Sequence, residues 1–150
     1  MSKSTNSQKN IYLVHDTGEP SVELIDLLER QKFKITTDPI GPNIPALINS
    51  LAPDMVILDQ MFPGTVTPQL CGEIRIEYHN PLVILTWDNR EINHIQCLSH
   101  GADDFFSKPL NPPLFVAKIK ALLRCVERFK DKEQHLSDLE TWLLIQAGEP

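Results

Sequence analysis

Short apolar runs that each stop at a polar residue, separated by stretches of helical periodicity, constrain this chain more than any other feature. Ile11–Val14 stops at His15 and Asp16, Met55–Leu58 at Asp59, Leu82–Leu85 at Thr86, and Ala102–Phe106 near Lys108 and Pro109. A weaker run covers Phe33–Thr36. Runs this short and this uniformly apolar are the pattern of strands buried on both faces.

The stretches between them have helical spacing. Val22, Leu24, Ile25, Leu27 and Leu28 recur within Pro20–Arg30. Asn43–Leu51 has Pro45 near its first turn. Pro68–Tyr78 carries Leu70, Ile74 and Tyr78 on one face. Glu91–Ser99 places Ile92, Ile95 and Leu98 inward, with Gly101 as its C-terminal glycine. A last helix starts at Pro113 and reaches at least Phe129. Five strands alternating with five helices predict one α/β domain, a parallel sheet covered on both faces.

Composition excludes several functions. A formal charge of −6 without a Lys/Arg run argues against direct nucleic-acid binding. The apolar runs are too short to span a bilayer. Residues 1–9 read as a disordered tail, since the polar opening MSKSTNSQKN lacks the apolar core of a secretory signal. Cys71, Cys97 and Cys125 are odd in number and widely spaced, which fits reduced thiols in a cytoplasmic protein and no zinc site.

In open α/β sheets ligands bind beyond the carboxyl ends of the strands. His15, Asp16, Asp59, Thr86 and Lys108 all fall there. Two carboxylates, a hydroxyl and an ammonium at one edge suit a magnesium ion, which prefers hard oxygen ligands, and a phosphoryl group, whose charge the lysine balances. His79, His94, His100 and His135 lack metal spacing and read as surface residues. Asp103 and Asp104 read as solvated loop or strand-edge carboxylates rather than ligands, Cys97 as a packed or half-buried thiol and Phe106 as a core side chain.

The stretches IYLVHD, PDMVILDQMFPG, PLVILT and GADDFFSKPL, in this order over roughly residues 10–128, resemble the receiver domain of two-component response regulators. The resemblance implies a flavodoxin-like (βα)5 fold with sheet order 2-1-3-4-5. It implies that Asp59 accepts a phosphoryl group from a histidine kinase or phosphotransfer protein, that Asp16 ligates Mg2+ with Asp59, and that the Met61 backbone carbonyl completes the protein's metal ligands. Thr86 then corresponds to the hydroxyl that turns to meet the phosphoryl group, and Lys108 to its cationic partner. Pro109 corresponds to a proline that commonly follows a cis bond, and Phe105 to the switch aromatic.

Three positions depart from that family. His15 stands where a second acid is usual, which removes a negative charge and leaves a second-shell role toward the metal. Trp87 replaces a small residue, and either hangs over the pocket mouth or packs on the fourth helix. Phe105 lacks the commoner tyrosine hydroxyl. Two functions follow: a phosphorylatable signalling switch, or a phosphorylation-independent pseudo-receiver that acts as an interaction or dimerisation module. An aspartate-nucleophile phosphatase is disfavoured because Met61 stands where its second acid belongs. A flavin-binding protein is disfavoured because no Gly-rich loop follows the first strand.

Residues 129–150 form a helical extension or linker beyond the receiver. Phe115, Ile119, Leu122, Val126 and Phe129 continue toward Leu136 and Leu143, interrupted by Glu133. The spacing favours a break near Ser137 and Asp138, with Ser137 and Glu140 as a capping box for a short returning helix. A continuous helix that pairs two copies is the other reading. An exchange surface is expected to include Asn93, Gln96 and Lys118.

Overall fold

The computed structural model describes residues 7–16 and 18–148. Residues 1–6 of the expected tail, Thr17, Glu149 and Pro150 lie outside the described residues. Of the remaining tail, the Gln8 side chain donates to the Lys32 carbonyl at 3.0 Å and Lys9 pairs with Glu127 at 2.8 Å.

Strands and helices alternate strictly: β1 (Asn10–His15), α1 (Val22–Arg30), β2 (Lys34–Pro39), α2 (Ile44–Leu51), β3 (Met55–Gln60), α3 (Pro68–Arg75), β4 (Leu82–Thr86), α4 (Glu91–His100), β5 (Asp104–Ser107) and α5 (Pro112–Ala147). The five strands form one parallel sheet of order β2-β1-β3-β4-β5. This is the expected flavodoxin-like order. β3 and β4 are buried at every residue, which explains why they read as unbroken apolar runs. β2 is the half-exposed edge strand and gave the weakest signal.

Alternation divides the core in two. Ile11, Leu13, Ile57, Val83 and Leu85 face Leu24 and Leu28 of α1 and Phe115, Ile119 and Leu123 of α5. Val14, Val56, Leu58 and Ile84 face Ile44 and Ile48 of α2, Cys71 and Ile74 of α3 and Cys97 of α4. Fully burying each such side chain stabilises the fold by about 1.5–3 kcal/mol. Ser21, Thr67 and Asn111 cap α1, α3 and α5, each accepting from the backbone N–H three residues on at 3.1–3.2 Å. Gly101 ends α4 at a φ of 133°, and a Cβ there would meet Cγ of Arg75.

Two expectations are corrected. The chain does not break near Ser137: α5 runs unbroken through it, and the Ser137–Glu140 capping box is not formed. No Gly or Pro lies within 114–147, and exposed Ser and Asp inside a helix cost only tenths of a kcal/mol, about 0.5 each. Asp138 instead accepts from Gln134, one turn earlier, at 2.9 Å.

The second correction concerns α4. Ile92, Ile95 and Leu98 are 59%, 51% and 42% exposed and point outward. The helix packs through Asn93, His94 and Cys97, because polar anchors in the β4–α4 loop and the Phe105 ring select that face. His94 is accordingly half-buried rather than a surface residue.

Cys71 and Cys97 are buried together between α3 and α4. Burial, then the neighbouring Cys97, push the Cys71 thiol from its ordinary value of 9.0 up to about 12, and burial raises Cys97 as well. A folded-state pKa above the unfolded one means that stability is full below about 9 and falls as pH rises from there toward 12. The urea midpoint is therefore expected to fall above pH 9, less steeply in Cys71→Ala. Buried Tyr12 and Tyr78, also raised, add to the loss above pH 10. A midpoint flat to pH 11 would contradict this. Iodoacetamide should leave both thiols unmodified until urea is added.

Candidate functional site

The site lies beyond the carboxyl ends of β1, β3, β4 and β5. Asp59, next to last in β3, pairs in register with His15 on one side and Leu85 on the other. It is 2% exposed, and its Oδ1 accepts from Lys108 Nζ, itself nearly buried just past β5. Lys108 Nζ also lies 3.5 Å from the Met61 sulfur. The Lys108–Pro109 peptide is cis. The ion pair brings together the carboxylate to which the family resemblance assigns phosphoryl acceptance and the lysine expected to balance its charge.

Asp16 is organised by the loop after β3. Its Oδ2 accepts from the backbone N–H of Met61 at 2.5 Å and Phe62 at 2.8 Å, and from the Thr65 hydroxyl at 3.1 Å. Its Oδ1 is buried with no hydrogen-bond partner. A buried carboxylate oxygen without a donor is costly unless a cation meets it. That free oxygen fits a hard divalent cation. Among the described residues no three His, Cys, Asp or Glu side chains group as a metal site. His15 is buried in the same pocket, and its Nδ1 likewise has no partner.

Thr86 is fully buried but makes no hydrogen bond to Asp59. Its Oγ1 accepts from Gln60 Nε2 at 2.8 Å and from the Asp88 backbone N–H at 2.9 Å. Sequence reading missed both partners. Gln60 carried a signal, as the one polar amide closing an apolar strand. Asp88 anchors the start of α4: its carboxylate accepts from the Arg90 side chain and backbone and from Asn93, while its carbonyl meets His94 Nε2 at 2.7 Å. The Arg90 side-chain bonds, then its backbone bond and Asn93, hold the Asp88 carboxyl well below the usual carboxylate range. Phe105 stacks on His94 with ring centroids 4.2 Å apart and planes 23° from parallel. The loop after Thr86 is thus tied to the helix that touches Phe105.

Beside Asp59 opens a cleft of about 970 Å³, whose lining includes Leu24 and Leu27 of α1, Met61, Phe62, Trp87 and Lys108. Trp87, half-exposed, borders this mouth, the first of the two positions expected for it. Gln96 and Lys118 of the expected exchange surface are exposed, whereas Asn93 is half-buried on Asp88. Asp103 pairs with Arg75 and accepts from the Leu82 N–H, which gives it a structural place on the α3–β4 side.

Residues 11–120 match the response regulator receiver domain family. The chain belongs to that family. It is 33% identical over 138 residues to the transcriptional regulatory protein BaeR of Escherichia coli O6:H1, covering 92% of this chain and 57% of that protein. It is 37% identical over 123 residues to the response regulator GtcR of Aneurinibacillus migulanus, covering 81% of this chain and 51% of that protein. The chain therefore spans about half the length of these curated relatives. Among solved structures, the BeF3-activated N-terminal receiver domain of Klebsiella pneumoniae RstA superposes with a TM-score of 0.69 at 30% identity, covering 77% of this chain and 98% of that one. A receiver of two-component signalling is thus the frame for the site. No helix among the described residues is long and apolar enough to cross a membrane.

Proposed function

We propose that this receiver accepts a phosphoryl group on Asp59 from a histidine kinase or phosphotransfer protein in the cytoplasm, with Mg2+ as the required ion. The observation that carries this reading is the buried Asp59–Lys108 pair beside the donor-free Oδ1 of Asp16. Asp16, Asp59 and the Met61 carbonyl would hold the metal, which supplies charge neutralisation for the incoming group. A carboxylate oxygen of Asp59 attacks phosphorus. The bond from phosphorus to the donor nitrogen or acyl oxygen breaks, and its electron pair leaves with the donor. Lys108 balances the negative charge of the transferred group. Thr86 then donates its hydroxyl proton to a phosphoryl oxygen, and the β4–α4 loop and Phe105 move with it.

Intact-protein mass after incubation with acetyl phosphate tests this reading. The wild type should gain one phosphate-sized increment that requires Mg2+ and is absent in Asp59→Asn. The unpartnered Nδ1 of His15 favours a second reading, a pseudo-receiver whose pocket no longer supports phosphorylation. A folded wild type that gains no mass from acetyl phosphate or a cognate kinase would support that alternative. We also propose that two copies of the chain pair through Phe129, Leu136, Leu139 and Leu143, exposed along the extension of α5.

A further inference from the structure

We propose that Gln60 is a positioning residue that latches Thr86 in the unmodified arrangement and so sets how readily the site switches. The proposal rests on the phosphoacceptor reading above. β3 and β4 pair Gln60 with Thr86, and alternation puts both on the sheet face opposite Asp59 and Leu85. Gln60 is 5% exposed at the end of a strand whose residues Met55–Leu58 are apolar. A buried amide is tolerated only where its polar atoms are engaged.

Both ends of this amide are engaged. Its Oε1 accepts from the Val66 backbone N–H at 2.8 Å and lies 3.4 Å from the Thr65 hydroxyl. A backbone N–H only donates, so the atom facing Val66 is the oxygen and the one facing Thr86 is the nitrogen. Nε2 therefore donates to Thr86 Oγ1, which also receives the Asp88 N–H. Two donors occupy the acceptor side of the threonine hydroxyl. The same Thr65 hydroxyl reaches Asp16 Oδ2, so one amide links the switch hydroxyl to the loop that holds the metal-facing carboxylate.

For Thr86 to turn toward a group on Asp59, it must leave Gln60. The amide N–H is then buried without an acceptor, a cost that shifts the equilibrium about 10-fold toward the unmodified arrangement. Gln60→Leu removes the donor and with it that penalty.

The test is beryllofluoride, an acyl-phosphate mimic, titrated with excess Mg2+ and followed by Trp87 fluorescence in a Trp142→Phe background. Gln60→Leu is expected to tighten the apparent Kd about 10-fold. In a Thr86→Ala background the same substitution should change it less than 2-fold, since no hydroxyl remains to latch. A purely structural role for Gln60 predicts equal effects in both backgrounds. Should Gln60→Leu fail to fold, 15N NMR of the unsubstituted protein reads the same point. The Gln60 amide protons should be protected from exchange in the free state and lose protection with beryllofluoride. Equal or weaker binding by folded Gln60→Leu, equal increments in both backgrounds, or unchanged protection overturns the latch alone. No beryllofluoride binding by the wild type overturns the latch and the phosphoacceptor reading together.

Discussion

Lys108→Ala is expected to slow phosphoryl transfer to Asp59 by about 10²–10³-fold, the usual cost of deleting one donor aimed at developing charge. Without added metal it is also expected to destabilise the fold by about 3 kcal/mol. Asp59 and Lys108 side chains are 3% and 11% exposed, so each is the other's replacement for water. Removing one partner leaves a buried charge uncompensated, which costs far more than the intact pair contributes.

A sign distinguishes this from general damage. The pocket of Lys108→Ala is one unit more negative, so its Mg2+ affinity should rise while its transfer rate falls. Asp59→Asn combined with Lys108→Ala should recover most of the lost stability, because the orphaned charge is gone. Urea denaturation with and without Mg2+, together with the rate of mass gain from acetyl phosphate, measures all of this. A rate within 10-fold of wild type would remove Lys108 from the transfer step.

The sheet was legible because β1, β3 and β4 are buried on both faces and so declare themselves as unbroken apolar runs. The site was legible for a related reason. A run that ends in Asp or Thr marks a strand's carboxyl end, where the topology gathers ligands. Asp59 and Lys108 came together as that rule implies. Thr86 was placed correctly on its strand, but its present partners were not foreseen. They depend on the register between β3 and β4, which no single strand's sequence reveals.

The inward face of α4 was misread for a different reason. Ile92, Ile95 and Leu98 obey helical spacing, yet the Asp88–Arg90–Asn93 anchor and the His94–Phe105 stack turn them to solvent. Periodicity identifies a stripe; tertiary polar contacts decide which way it faces. At Ser137 the capping pattern favoured a break over a continuous helix, yet without a helix breaker the continuous helix forms.

Leu136→Asp with Leu143→Asp is expected to convert a dimer to a monomer, raising its Kd more than about 100-fold. Beyond Leu123, the last buried residue of α5, the helix continues through 24 residues to Ala147, about 36 Å at 1.5 Å per residue. Every side chain from Glu127 to Ala147 is exposed. A solvated helix of this length is marginal alone and gains stability by covering an apolar face. Phe129, Leu136 and Leu143 recur every seven residues, with Leu139 three after Leu136, and all are 45–63% exposed. At 3.6 residues per turn this stripe lies about 120° around the helix from the sheet-packing face, so pairing leaves the receiver outside the seam.

Charge selects the orientation. Parallel pairing sets Arg128 against Glu133 of the second copy, which is favourable, whereas antiparallel pairing opposes Glu133 to Glu140. Lys132 and Gln146 on the seam keep the association moderate. Parallel pairing also brings the two Cys125 thiols together, since Cys125 lies seven residues before Lys132 on the seam. Mild oxidation by diamide, which takes up the two thiol hydrogens, should then yield a disulfide dimer in wild type and none in Cys125→Ser. Sedimentation equilibrium supplies the Kd. A wild type that stays monomeric at about 100 μM, or a double variant that dimerises as tightly as wild type, would exclude the seam, leaving the outward Ile92, Ile95 and Leu98 face of α4 as the surface to test next.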